Sequence, residues 1–131
     1  MTFALDSNVF GDVLQNHGQV AQRLRQVPRG SLYVPSVVVY ELRYGMTKHA
    51  LGERRQAALE TLLAMCQVLP LDALAAQAAA QMRVALEALG TPVGEKDLLI
   101  AATAHVHGCT VVSRNTREFS RIAHLDLQDW F

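Results

Sequence analysis

Cysteine is scarce: the chain has only Cys66 and Cys109, too few for a disulfide framework or a four-ligand zinc site. Both lie among apolar or small residues and read as buried thiols in a reducing cytoplasm. Long apolar runs are also missing. The longest, Leu98 to Ala102, is far below a membrane span. The opening Met1-Thr2-Phe3-Ala4-Leu5-Asp6 has no basic stretch followed by an apolar segment, so neither a signal nor a transit peptide is expected and a cytoplasmic protein is. Net charge is lacking too, because 12 basic residues balance 12 acidic ones. Any nucleic-acid binding would therefore rest on a local cluster of arginines. No Walker-type or dinucleotide glycine pattern occurs, and Gly90-Thr91-Pro92-Val93-Gly94 reads as a turn. His105 and His107 are two apart on a helix and point to different sides, while His17, His49 and His124 are isolated, so no histidine metal pair is expected.

What is present is a chain of 131 residues, 50% hydrophobic, long enough for one core and one domain spanning 1–131. Thr2 to Leu5 suits a strand buried on both faces, ending at Asp6, after which Ser7 and Asn8 start a helix carrying Val9, Phe10, Val13 and Leu14. Leu32 to Val34 is a second short strand, stopped by Pro35, and Ser36 opens a helix weakening near Gly45 or Lys48. Glu53 to Cys66 forms an amphipathic helix with Ala58, Leu59, Leu62, Leu63 and Cys66 on one face. Val68 to Leu71 is a weak strand interrupted by Pro70. Asp72 then caps an alanine-rich helix reaching Leu89, and Glu95 to His107 is helical. Thr110 to Ser113 is a convincing strand, and Leu125 to Leu127 a short edge strand. Strands separated by helical crossovers predict a three-layer α/β/α sandwich with a mainly parallel sheet. Its site should lie at the carboxyl ends of the strands.

Three carboxylates stand out. Glu41 shares a helix face with Val37, Val38, Tyr44 and Gly45, which turns it inward. It is either a metal ligand or base, or a buried acid paired with Arg43 or Arg114. Asp97 heads an apolar stripe through Ile100, Ala101 and Ala104, although a first-turn acid also interacts favourably with the helix dipole. Asp6 alone reads equally well as an N-cap. Together, three acids from distant segments would meet at one sheet edge. Crowded, partly desolvated carboxylates either take up protons or recruit a cation. An all-oxygen set favours Mg²⁺ or Mn²⁺ and hydrolysis of a phosphodiester.

The segments Leu5-Asp6-Ser7-Asn8, Tyr40-Glu41-Leu42-Arg43-Tyr44-Gly45, Gly94-Glu95-Lys96-Asp97-Leu98-Leu99-Ile100-Ala101-Ala102 and Ser113-Arg114-Asn115-Thr116-Arg117-Glu118-Phe119, in this order and with an Asp-Trp near the C-terminus, resemble the PIN-domain VapC toxins. The resemblance implies a Mg²⁺-dependent endoribonuclease, a homodimer silenced by a VapB-type antitoxin, with an RNA substrate such as the tRNA anticodon stem-loop. It implies Asp6 and Asp97 as principal metal ligands, Glu41 as the acid holding a metal or its water, and Ser7 as support for Asp6. Many PIN domains carry a fourth acid where this chain has Asn115, and Glu118, a turn later, is the expected substitute. Lys96, Arg114, Arg117 and Arg121 are candidates to bind RNA phosphates, with a solvated charged surface as the alternative. A non-catalytic RNA- or protein-binding module and a DNA structure-specific nuclease are the rival readings. The first predicts damaged acids and the second added basic helices, and the chain has neither.

Overall fold

A computed structural model describes residues 1–131. Its elements run β1 (Phe3–Leu5), α1 (Ser7–Leu14), α2 (Val20–Gln26), β2 (Leu32–Pro35), α3 (Ser36–His49), α4 (Glu53–Ala64), β3 (Gln67–Leu69), α5 (Ala73–Ala88), α6 (Glu95–Val106), β4 (Thr110–Val112), α7 (Thr116–Phe119) and β5 (Leu127–Gln128). The strands form one sheet in the order β3-β2-β1-β4-β5, every pairing parallel. The expected three-layer sandwich is thus the observed one. Central strands carry apolar residues without alternation because helices cover both faces, and β1 and β4 are buried at every position.

The strand order reverses beside β1: the chain moves outward through β2 and β3, then returns across the sheet to place β4 on the other side. Such a switch point leaves a crevice at the carboxyl ends of the two diverging strands. Buried side chains from all layers join in one continuous cluster. The α5 and α6 helices pack against each other, burying Ala75 and Ala79 on one and Ala101, Ala102 and Ala104 on the other. Small side chains allow this close approach, and α6 is held tightly beneath the site.

Several local expectations shift. The third strand occupies Gln67–Leu69, so Pro70 follows it rather than interrupting it, as suits an edge strand. The last strand starts two residues later than expected and ends one later, at Leu127–Gln128. The α2 and α7 helices are additional to the expected set. The α3 helix continues to His49 and ends where Ala50 turns left-handed at φ 46°. Only Cys109 is fully buried; Cys66 is half-buried, with its thiol pushed up to about 11 by desolvation. No helix is long and apolar enough to cross a membrane.

Candidate active site

The register of the central strands builds the first part of the site. Leu5 of β1 is level with Val112 of β4, so the next residues on each strand, Asp6 and Ser113, emerge side by side at the carboxyl edge. The Asp6 amide extends the ladder by donating to the Val112 carbonyl at 3.0 Å. Its side chain is held on both oxygens: Oδ1 accepts from the Ser7 amide at 2.8 Å, while Oδ2 accepts from Ser113 Oγ at 2.7 Å and Asn8 Nδ2 at 3.3 Å. Asp6 is therefore an N-cap of α1 as well as a site residue, and the two readings coexist. Ser113 Oγ gives its proton to Asp6 and accepts from Asn8 Nδ2 and the Asn115 amide. That hydroxyl ties the ends of β1 and β4 together.

Asp97 lies in the first turn of α6 and accepts from Asn115 Nδ2 at 2.9 Å. Glu41, on α3, has one carboxylate oxygen 3.7 Å from Lys96 Nζ; the other, Oε1, is buried with no hydrogen-bond partner. The alternative pairing of Glu41 with an arginine does not form. Arg43 binds Glu60 through both guanidinium nitrogens instead, and Arg114 lies 3.0 Å from Asp12. Nor does Tyr44 follow Glu41 inward, since it is exposed while Glu41 is half-buried.

Electrostatics shows that the three acids share one neighbourhood. Burial raises the pKa of Asp6 above its ordinary value, opposed by the Ser113 and Ser7 hydrogen bonds. Burial also raises Glu41, and the charges of Asp6 and Asp97 add to it while Lys96 works against them. Asp97 is raised by burial first, then by Asp6 and Glu118, with Lys96 and Asn115 opposing. Glu118 is thus close enough to be felt, although it also pairs with Arg121 at 3.6 Å. Glu41 and Asp97 are thus each raised by ionised neighbours, Asp6 among them, whereas Asp6 itself is raised by burial.

The PIN-domain model matches residues 3–125 of this sequence. The chain belongs to the PIN-domain family. Among PIN-domain relatives, the tRNA(fMet)-specific endonuclease VapC of Shigella flexneri is 35% identical over 130 residues, covering 99% of this chain and 98% of that protein. The DNA-bound VapBC structure from Salmonella typhimurium superposes with a TM-score of 0.90 at 33% identity, over 100% of this chain and 99% of the other. VapBC2 from Rickettsia felis, bound to a promoter DNA fragment, also gives 0.90, at 28% identity and 100% coverage of both chains.

Divalent-metal dependence accompanies PIN-domain ribonucleases of the VapC type, and the donor set of this PIN domain fits such an ion. Its acids are all oxygen donors with raised pKa values, and one buried oxygen of Glu41 lacks any partner. No three acidic, histidine or cysteine side chains already close into a ligand cage. A hard cation held here would therefore be bound through one or two carboxylates, with waters completing its shell.

The cations expected around the site divide. Lys96 is engaged with Glu41, Arg121 with the Pro92 carbonyl and Glu118, and Arg114 with Asp12 and the Phe131 ring. Arg117 is exposed. Sequence reasoning missed Ser113 and Asn8 as supports of Asp6. The available signal was register: if β1 and β4 are neighbours, the residue ending β4 must face Asp6.

Proposed function

We propose that the chain is a single PIN domain acting as an Mg²⁺-dependent endoribonuclease, the toxin of a VapBC-type pair, working in the cytoplasm on RNA phosphodiester bonds. What supports the reading is the electrostatic influence of Asp6, just after β1, on both Glu41 of α3 and Asp97 of α6, beside the sheet's switch point. Asp6 and Asp97 are the metal ligands. Asp97 has one oxygen held by Asn115, and Asp6 has Oδ2 held by Ser113 and Asn8 but Oδ1 held by the Ser7 amide alone, so the free oxygen of Asp97 and a lone pair of Asp6 Oδ1 are left for the ion. The all-oxygen set favours Mg²⁺, with Mn²⁺ the alternative.

A bound divalent ion neutralises charge on the scissile phosphate and acidifies the attacking water. Glu41, its pKa raised by burial and by the charges of Asp6 and Asp97 and its Oε1 unpartnered, would accept the proton of the attacking water at that oxygen. Lys96 steadies Glu41 and, with Arg114 and Arg117, meets RNA phosphates. The Shigella relative's specificity for tRNA(fMet) makes a tRNA, cut in its anticodon stem-loop, the substrate to test first.

The protein is a homodimer inhibited by a VapB-type antitoxin. Its solved relatives are VapBC assemblies, and an apolar cleft lined by Leu14, Leu42, Leu51 and Leu59 opens beside Ser7 and Glu41, where a partner helix would cover the acids. To test the activity, total RNA is incubated with wild type and Asp6→Asn, with Mg²⁺ or chelator, and new ends are mapped by sequencing. Cleavage that needs the metal and disappears in the variant is expected. Cleavage by Asp6→Asn at the wild-type rate would refute the assignment.

A further inference from the structure

The α3 helix presents a feature that hydrolysis does not use. Tyr40 and Tyr44, on either side of Glu41 in sequence, are 63% and 56% exposed, unusual for aromatic side chains on a helix whose other face enters the core. Four residues apart, they stand one above the other, about 6 Å along the axis. Lys48 continues the row one turn further, its ammonium 5.5 Å from the centre of the Tyr44 ring. On the same helix Lys48 lies two turns below Glu41, almost directly under it, because seven residues make nearly two full turns. The row therefore leads away from the carboxylate cluster, whose Glu41 is itself held by Lys96.

The other exposed large apolar residues separate from this row. All but one of them carry no ring, among them Val68 on β3, Leu71 after it, and Leu74, Val84 and Leu89 on or just beyond α5; the exception, Phe131, is already stacked by the Arg114 guanidinium 3.7 Å from its ring centre. On α3 the large exposed apolar side chains are the two tyrosines, accompanied by exposed Arg43 and Lys48. Aliphatic patches suit protein partners. Aromatic faces with cations beside them suit nucleobases, which stack on such rings while the cations meet phosphates.

We infer that Tyr40, Tyr44 and Lys48 form a subsite for unpaired RNA next to the cleavage centre: the two rings stack splayed bases and Lys48 contacts the adjoining phosphate. The inference rests on the ribonuclease reading and sharpens it. The enzyme selects a single-stranded segment, such as a loop, because a base inside a duplex cannot offer its face to a side chain. Stacking tolerates any base, so this subsite contributes affinity for unpaired RNA with little sequence preference.

The test uses the full chain in chelator, where hydrolysis does not compete, and a short unstructured oligoribonucleotide containing 2-aminopurine, with a matched duplex as control. Tyr44→Leu and Tyr40→Leu should each weaken single-strand binding by roughly tenfold and reduce quenching of the 2-aminopurine emission. Tyr44→Phe should retain both, since stacking needs the ring and not the hydroxyl. Affinity for the duplex should be the same in all variants. Cleavage of RNA by wild type in Mg²⁺ is followed in parallel. If wild type cleaves RNA but the leucine variants bind single strands as tightly as it does, the subsite is refuted and the ribonuclease reading stands. If the leucine variants keep RNA affinity but elute as a smaller species on size exclusion, the row is a contact between copies and the inference also falls. If wild type neither binds nor cuts RNA, both readings fail together.

Discussion

Asn115 shows how much one side chain sets at this site. Where an aspartate would add a further negative charge, Asn115 donates from its amide nitrogen to Asp97 at 2.9 Å and opposes the rise in that acid's pKa. In Asn115→Asp the donor becomes another acceptor beside three acids already short of counter-charge. The metal-free variant should melt at a lower temperature than wild type, and it should bind divalent ions roughly tenfold more tightly, because an added carboxylate ligand raises affinity for a hard cation. Differential scanning calorimetry in chelator and isothermal titration with Mn²⁺ check the two halves separately. An unchanged melting temperature together with unchanged affinity would mean that position 115 faces away from the ion. The three acids themselves were legible because each interrupts an apolar pattern. Their supports were not, because Ser113 and Asn8 look like ordinary turn residues until β1 and β4 are known to be neighbours. Pairings among the basic residues were equally hidden: Arg43, Arg114 and Lys96 each chose a partner from a different element, and helix spacing reports only neighbours on the same helix.

At the scale of elements, the apolar central strands and the longer helices were readable, whereas α2 and α7 were not. The α2 helix buries only Val20 and Leu24 and has no side-chain cap, and α7 is a single turn burying Phe119. Neither carries enough pattern to be seen without its neighbours. The segment after β5 was likewise read only as an Asp-Trp signature, yet it packs on β1 and on the loop that carries Asn115. Trp130 meets Phe3 edge-on with centroids 5.0 Å apart, and Phe131 lies under Arg114, whose guanidinium carbon is 3.7 Å from the ring centre. Arg114 directly precedes Asn115, so this contact steadies the β4–α7 loop. Gly18 packs against the same ring at φ +61°, and a Cβ there would come within 2.8 Å of it. Gly18→Ala should therefore cost about 1–2 kcal/mol from the left-handed backbone alone, with a further loss from displacing Phe131. In the Phe131→Ala background the second loss should vanish while the first persists. Chemical denaturation of the two single variants and the double variant measures the difference. Strict additivity would show that the ring moves aside without cost.

Over the whole molecule, the balance of 12 basic and 12 acidic residues leaves no general field to relieve the acidic cluster, so its repulsion must appear in global stability. Asp6, Glu41 and Asp97 all have folded-state pKa values above the ordinary 3.8, 4.5 and 3.8. Between those ordinary values and the raised ones, the folded protein holds more protons than the unfolded chain, and stability falls as pH rises through that interval. Above the raised values the penalty is complete; below the ordinary values it is absent. In chelator, wild type should gain stability on acidification from neutral pH before general acid unfolding sets in. Asp6→Asn keeps an oxygen for the Ser7 amide and removes one of the charges, so it should be more stable than wild type at pH 7 by about 1 kcal/mol, the usual size of a gain from relieving a functional site. That advantage should shrink toward pH 4. Divalent ions reverse the sign because protons compete with them for the same oxygens. At a hundred times its dissociation constant a bound ion stabilises wild type by about 2.7 kcal/mol, and this increment should shrink on acidification and be much smaller in Asp97→Asn. Melting curves across pH 4–8, with and without Mg²⁺, for the three proteins test all these signs at once. If wild type in chelator instead loses stability steadily from pH 7 downward while Asp6→Asn tracks it at a constant offset, the acids are not coupled, and the metal must be sought elsewhere on the molecule.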